Sequence, residues 1–308
     1  MSRTVLMTGA SRGIGRHAAE RMLRDDPRLH LLVIARGAAA ETLPRELARA
    51  SGNPNVSAVR ADLASLADVR RAAAEAGTAT GTGDLPPLYG IVANAGVQLT
   101  STTGATADGF ETTFAVNVLS PYLLIRSLAD RLTVPGRIVV TSSDTHAGAG
   151  APLVPRPHWT GVRTLATPGT GEAASTARAG RRAYSTSKLA VVHLVHELAR
   201  RLPQGVDAYA FNPGLVPDTD LVRDAGPALR RAFGLLAPAL SLLPFAQRAR
   251  PAGAQLATIM LGPRPGASGD YIDRDRVGRS SPESFDPARE EALWRDCAEL
   301  VGLPAVTP

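Results

Sequence analysis

Short apolar runs alternate with helix-length amphipathic stretches from the first residues of this 308-residue chain, and that alternation restricts the fold more than any other feature. Runs at 4–8, 30–35, 56–60, 88–93, 137–142 and 206–211 read as strands. The stretches 13–25, 41–51, 65–76, 108–132 and 183–202 carry the apolar stripe of helices. Strand–helix–strand repetition with right-handed crossovers gives α/β architecture: a doubly wound parallel sheet with helices on both faces. A last short strand near 270–272 and a terminal helix at 286–301 complete the layout, and with no internal repeat a single domain over residues 1–308 is expected.

Two segments break the rhythm. Residues 144–183 form a Gly-, Pro-, Thr- and Ala-rich insert, far longer than the roughly 15 residues beyond which a structureless loop is unusual. Five arginines (Arg156, Arg163, Arg178, Arg181, Arg182) accompany the acid Glu172 within it, so it reads either as a mobile solvated insertion or as an arm over an anionic or polar substrate. Residues 219–250 include the uncharged apolar stretch 232–246, cut by Pro238 and Pro244. That stretch falls short of the ~18 residues needed to cross a bilayer, so no integral membrane segment is expected and a substrate lid is the better reading.

Composition excludes several classes. A net charge of +6 and only 4% aromatic residues supply neither the charge density nor the stacking surfaces of a nucleic-acid binder. The single cysteine, Cys297, rules out an internal disulfide and a Cys-rich metal site; it shares a helical face with Leu293 and Leu300 and reads as a core residue. The first strand begins within a few residues of Met1, which leaves no room for a signal peptide, and a reducing cytoplasmic setting is expected. His193 and His196 stand three apart without a third ligand at sensible spacing, so no metal is expected.

The first strand runs into Thr8-Gly9-Ala10-Ser11-Arg12-Gly13-Ile14-Gly15 and then a helix. Glycines there let the backbone bend and approach a pyrophosphate, which meets the N–H groups and positive dipole end of the helix. A nucleotide site of a Rossmann-type fold is expected there. The second strand ends Val33-Ile34-Ala35-Arg36, without the acid that would hold a ribose diol. Arg36, with Arg12 in the turn, instead offers two guanidinium groups to a 2′-phosphate, which favours NADP(H) over NAD(H).

Of the 34 Lys and Arg residues, Lys188 alone is lysine, and it follows Tyr184 by four positions. A planar guanidinium cannot replace a compact ammonium that must sit beneath a sugar diol and beside a phenol. At i and i+4 on one helix, Tyr184 and Lys188 point into the same cleft.

In order along the chain, the glycine turn, Asp62-Leu63, Asn94-Ala95-Gly96, Asn117, Ser142-Ser143, Tyr184-x-x-x-Lys188 and Asn212-Pro213-Gly214 resemble the short-chain dehydrogenase/reductase family over nearly the whole length. Asp108-Gly109-Phe110-Glu111, and Ser185-Thr-Ser-Lys188 followed by Glu197-Leu-Ala-Arg-Arg-Leu202, look most like its retinol-dehydrogenase-like and protochlorophyllide-reductase-like branch. The resemblance implies an NADP-dependent oxidoreductase acting on a small molecule. Tyr184 would be the general acid or base, Lys188 the ligand of the nicotinamide ribose, and Ser143 the donor to the substrate oxygen. Asn117 would hold a water or bend its helix so that a proton relay reaches Lys188. Gly9, Ser11, Arg12, Gly13, Ile14, Gly15, Arg36, Asp62, Leu63, Asn94, Ala95, Gly96, Pro213 and Gly214 would line the cofactor groove. Thr219 is the threonine expected on the carboxamide, and His146 is placed on the cleft wall.

A phenol working near neutrality asks for a pKa lowered by about three units, which the ammonium and an oxidised nicotinamide can supply. The leading expectation is carbonyl–alcohol interconversion on a lipophilic or polycyclic substrate. Alternatives are a carbon–carbon double-bond reductase, a non-catalytic NADP(H)-binding redox sensor, and a protein docked on a membrane surface through 232–246. The family also includes dimers and tetramers, so a homo-oligomer is compatible with the resemblance.

Overall fold

A computed structural model of the chain describes residues 1–148, 154–216 and 246–305. The strands β1 (Arg3–Thr8), β2 (Leu29–Ala35), β3 (Val56–Arg60), β4 (Leu88–Ala93), β5 (Gly136–Thr141) and β6 (Val206–Asn212) fall within about one residue of the apolar runs. With β7 (Tyr271–Asp273) and β8 (Arg276–Gly278) they form one sheet in the order β3-β2-β1-β4-β5-β6-β7-β8. Every neighbouring pair is parallel except the β7/β8 hairpin, whose second strand the sequence reading omitted. Strand order reverses between β1 and β4, and such a switch point opens a crevice at the carboxyl ends of the strands.

The central strands are apolar on both sides because both faces are covered. Leu6, Ile91, Ile138 and Ala210 face one layer, with α3 (Leu66–Thr82), α5 (Ser120–Arg126), α8 (Ala177–Arg201) and α10 (Pro287–Leu300). Val5, Met7, Val33, Val139 and Phe211 face the other, with α1 (Gly13–Asp25), α2 (Ala39–Ser51) and α9 (Ala249–Leu261). Each fully buried Leu or Ile side chain contributes about 1.5–3 kcal/mol. Arg137 within β5 turns its guanidinium to the carbonyls of Ile259, Met260 and Gly262, and so satisfies the end of α9 from the neighbouring layer.

Helix boundaries show where local chemistry overrides periodicity. The stretch 108–132 is not one helix. Gly109, at φ +83°, turns the chain, and the Glu111 carboxylate caps the N–H groups of Thr113 and Phe114. Helical structure starts there, as α4 (Thr112–Phe114), widens to a π turn over Ala115–Leu119 and continues as α5. Helix α8 begins six residues before the expected 183, because the Thr176 hydroxyl accepts from the Ala179 N–H and caps it. Helix α3 runs past 76 to Gly83, in the left-handed region at φ +89°. Helix α9 was not expected; it lies against α1, where a Cβ on Gly253 would stand 2.7 Å from the Ala18 nitrogen.

The insert is attached rather than free over much of its length. It contributes α6 (Val162–Leu165) and α7 (Gly171–Ala174), and Val162 and Ala166 are buried in the core layer that holds α10. Backbone bonds join Glu111 N to Ala166 O, Thr102 N to Ala174 O and Gly169 N to Thr102 O, and Arg163 pairs with Glu299 of α10. Residues 219–245 of the expected lid, Thr219 among them, lie outside the described residues. The flanks of that segment meet in a parallel bridge between Leu215 and Ala246. Among the described residues no helix is long and apolar enough to cross a membrane.

Candidate active site

The glycine turn lies at the switch point. Gly9 takes φ +72° and Gly13 φ +53°, so the chain leaves β1 and enters α1 in two left-handed steps. A Cβ on Gly15 would fall 2.0 Å from the Gly9 carbonyl oxygen and 2.5 Å from Asn94 Nδ2, so only glycine permits this approach of helix to strand. Helix α1 starts at Gly13 with no side-chain cap and no acid in its first turn. Its N-terminal N–H groups and dipole therefore suit an anion, and a nucleotide pyrophosphate fits that donor set. Ser11, Arg12 and Ile14 belong to the same turn. Asn94 closes it from β4: its Nδ2 donates to Gly9 O (3.2 Å) and its Oδ1 accepts from Thr141 Oγ1 (3.1 Å), while Ala95 N donates to Thr8 Oγ1 (3.1 Å).

Arg36 extends from the end of β2 and pairs with Asp62 at 3.6 Å, the arginine exposed and the carboxylate half-buried. Asp62 accepts from Ala64 N at 3.0 Å, which shapes the loop after β3. Leu63 in that loop gives its carbonyl to the Ser120 hydroxyl, and Leu66 N donates to the Asp108 carboxylate at 2.9 Å. The Asp108-Gly109-Phe110-Glu111 motif thus serves two elements: Asp108 holds the start of α3 and Glu111 caps α4.

Tyr184 and Lys188 are 5% and 3% exposed on α8. The phenol lies near enough to the Ser143 hydroxyl for that group to act on its titration, and the Lys188 Nζ stands 5.5 Å from the Tyr184 ring centroid. Lys188 Nζ donates to the Thr141 carbonyl at 2.8 Å, and its own carbonyl accepts from Ser142 Oγ at 3.1 Å. Ser142 is therefore a structural tie, and Ser143 is the serine on the phenol. Asn117 occupies the middle of the π turn. Its Oδ1 accepts from Val97 N (2.8 Å) and its Nδ2 donates to Val97 O (2.9 Å) and Ser187 Oγ (2.9 Å). Ser187 Oγ in turn donates to Tyr184 O at 2.7 Å. Gly96 fits between these groups, for a Cβ there would lie 3.3 Å from Asn117 Oδ1 and 3.4 Å from Lys188 Nζ.

Burial sets the electrostatics. It pushes the Tyr184 phenol above its ordinary value, the Ser143 hydroxyl pulls the other way, and the Asp144 carboxylate adds to the rise. Desolvation opposes the lowering expected from the ammonium and an oxidised nicotinamide, and by itself keeps the proton on Tyr184 at neutral pH. The same burial lowers the Lys188 amine to about 8.

Pro213 and Gly214 follow β6. Gly214, at φ +68°, donates its N–H to Asn212 Oδ1 (3.0 Å), and Pro213 O accepts from Gln247 Nε2 (2.6 Å). Asn212 also accepts from Asp144 N at 3.1 Å and donates to Asp273 Oδ1 at 2.9 Å, which links the Ser143 turn to β7. Sequence reasoning gave Asn212 no role, and missed Ser187 and Thr141. Ser187 had a signal, a small polar residue three positions after Tyr184 on its buried side; the Thr141 contact is a backbone carbonyl and had none. The insert arginines do not act as a group: Arg163 is paired with Glu299, Arg156 and Arg178 are exposed, and Arg181 and Arg182 are half-buried on α8. Among the described residues no cluster of three or more His, Cys, Asp or Glu side chains is arranged to hold a metal.

The family model described as short chain dehydrogenase matches residues 3–154. Retinol dehydrogenase 13 of Homo sapiens is 32% identical over 316 aligned residues, covering 98% of this chain and 86% of that protein. The putative daunorubicin C-13 ketoreductase DnrU of Streptomyces sp. (strain C5) is 32% identical over 302, covering 97% and 93%. Among solved structures, a blue fluorescent protein from a metagenomic library in complex with NADPH superposes with a TM-score of 0.64 at 27% identity, over 89% of this chain and 97% of that one. The ordered motifs, the reversal of strand order at β1 and β4, and these full-length similarities agree: this chain belongs to the short-chain dehydrogenase/reductase family of oxidoreductases, in its retinol-dehydrogenase-like branch.

Proposed function

We propose that the protein is an NADP(H)-dependent oxidoreductase that interconverts a carbonyl and an alcohol on a lipophilic or polycyclic small molecule. The observation that carries this reading is the buried Tyr184 phenol, protonated at neutral pH, beside the Ser143 hydroxyl and one helical turn from Lys188. Bound nicotinamide supplies the hydride to the carbonyl carbon, or takes it in the reverse direction. Ser143 donates to the substrate oxygen and orients the carbonyl. Tyr184 gives its proton to that oxygen as charge develops on it, and takes it back in oxidation. Lys188, one turn further along α8, offers its ammonium to the ribose hydroxyls and stabilises the phenolate that proton transfer leaves.

NADP(H) is favoured over NAD(H) by Arg36 and Arg12 with no acid at the end of β2. The Arg36 guanidinium, held by Asp62 at 3.6 Å in solvent, is free to exchange that weak pairing for a 2′-phosphate. The substrate class draws on the apolar stretch 232–246 and on two relatives whose names specify retinol and a daunorubicin ketone. Double-bond reduction with a cysteine proton donor is disfavoured, because Cys297 is wholly buried in α10 and burial raises its thiol. A cytoplasmic setting belongs to the proposal, as the lone buried thiol suits a reducing compartment.

The test is fluorescence titration with NADPH and NADH, followed by oxidation of the reduced cofactor against lipophilic ketones, aldehydes and quinones. NADPH binding at least about tenfold tighter than NADH, with turnover on a carbonyl, is the expected result. Binding without turnover on any carbonyl would favour a redox sensor, and equal affinities would remove the NADP(H) preference.

A further inference from the structure

The turn that presents Ser143 is tied at its base by Ser142 to Lys188 O and by Asp144 N to Asn212 Oδ1, but the Ser143 hydroxyl itself has only weak bonds. Asp144–Ala147 makes a single 3-10 turn, and the Ser143 hydroxyl accepts from Thr145 N at 3.3 Å and donates to Asp144 Oδ1 at 3.2 Å. Both bonds are long and local, so neither sets the position of Ser143 relative to α8.

His146 adds a second connection, on the far side of the turn from Ser142. Its Nδ1 lies 2.7 Å from the Ser143 carbonyl oxygen and its Nε2 lies 2.9 Å from the backbone nitrogen of Ser281. Those partners fix the tautomer. A carbonyl only accepts, so Nδ1 carries the proton; an N–H only donates, so Nε2 offers its lone pair. The ring is buried and tilts against Tyr271 with 4.9 Å between centroids.

The far anchor is hydrogen-bonded within itself and is tied to α8. Ser280 and Ser284 hydroxyls are 2.7 Å apart, and Ser284 Oγ donates to Ser281 O at 2.7 Å. The Glu283 carbonyl accepts from Nε2 of His193 on α8 at 3.2 Å. The 280–284 turn is therefore joined to the Ser143 turn through His146 and to the Tyr184 helix through His193.

We propose that His146 is a positioning residue: its Nδ1–H holds the Ser143 carbonyl while its Nε2 references that turn to Ser281, and together they set the spacing between the Ser143 hydroxyl and the Tyr184 phenol. Two substitutions separate the two halves of the ring. His146→Asn keeps an amide N–H near the Nδ1 position, for Ser143, and gives up Ser281. His146→Gln reaches Ser281 with its amide oxygen and gives up Ser143.

The expected result is a kcat at least about tenfold lower in both His146→Gln and His146→Asn, since each breaks one half of the connection, with NADPH affinity held within about twofold. A kcat within about threefold of the parent in either variant, or losses that only follow thermal stability, would overturn the proposal, because the connection fails when either half is lost. This kinetic arm rests on the carbonyl–alcohol reading. Crystal structures of the two variants are independent of it: the distance between the Ser143 hydroxyl and the Tyr184 phenol should change in both, and unchanged spacing in either would reject the role for His146. A parent protein that turns over no carbonyl would count against the proposed function and leave the crystallographic comparison to decide His146.

Discussion

At the scale of single residues, the lone lysine was legible because composition isolated it, and the structure buries it one turn from Tyr184. Its partner was not legible, since Lys188 bonds a backbone carbonyl and any residue type at 141 provides one. Burial also has a measurable cost. An ammonium whose pKa falls from 10.5 to about 8 on folding destabilises the folded chain by about 3 kcal/mol when fully charged. Because the folded value lies below the unfolded one, the penalty is complete below pH 8 and fades as pH rises towards 10.5. Lys188→Met removes it, so the parent should gain most of those 3 kcal/mol on the variant between pH 7 and pH 10.5 in denaturant titrations. A gap independent of pH would show that Lys188 does not titrate in that window. Tyr184→Phe tests the proton directly: turnover should fall about a thousandfold while NADPH affinity changes by no more than a few-fold. Turnover retained in Tyr184→Phe would reassign the acid.

At the scale of elements, strands were read closely because parallel strands buried on two faces are continuous apolar runs, whereas helix limits depended on side-chain caps. Thr176 and Glu111 moved two helix starts, and periodicity carries no trace of either bond. The π turn at Asn117 was equally hidden, although the asparagine within it was not. Helix α9 escaped because its Ala- and Gly-rich face packs on α1 through closeness of backbone rather than through large side chains. The α1 start shows what such closeness demands. Gly15→Ala places a methyl group against the Gly9 carbonyl and Asn94, and backbone cannot yield there as a flexible side chain could. The variant should lose nucleotide affinity by at least about a hundredfold, read by fluorescence titration, and melt at a lower temperature. Parental affinity would mean that α1 can shift away from β1 without disturbing the turn.

At the scale of the whole molecule, the candidate site draws on both sides of the switch point: Gly9 and Asn94 beside it, Ser143 after β5, Tyr184 and Lys188 on α8, and Gly214 after β6. The order of these motifs was readable because a doubly wound sheet brings the carboxyl ends of its strands to one edge whatever the loops between them. The insert was not readable. Its composition is that of a solvated loop, yet Val162 and Ala166 enter the core beside α10, and backbone bonds seal it to residues 102–111. A handful of small apolar side chains in a Gly- and Pro-rich stretch leaves no periodic signal, so its docking is a tertiary property. Val162→Ala distinguishes the two descriptions. Removal of two methyl groups from a docked insert should cost about 2 kcal/mol in chemical unfolding, with faster hydrogen exchange in 161–174 and 99–112 together. A solvated arm would tolerate the change within about 0.5 kcal/mol, and exchange in 99–112 would be unaffected. Coupled loss in both segments would make the insert part of the wall that holds the start of α8, and with it the position of Tyr184.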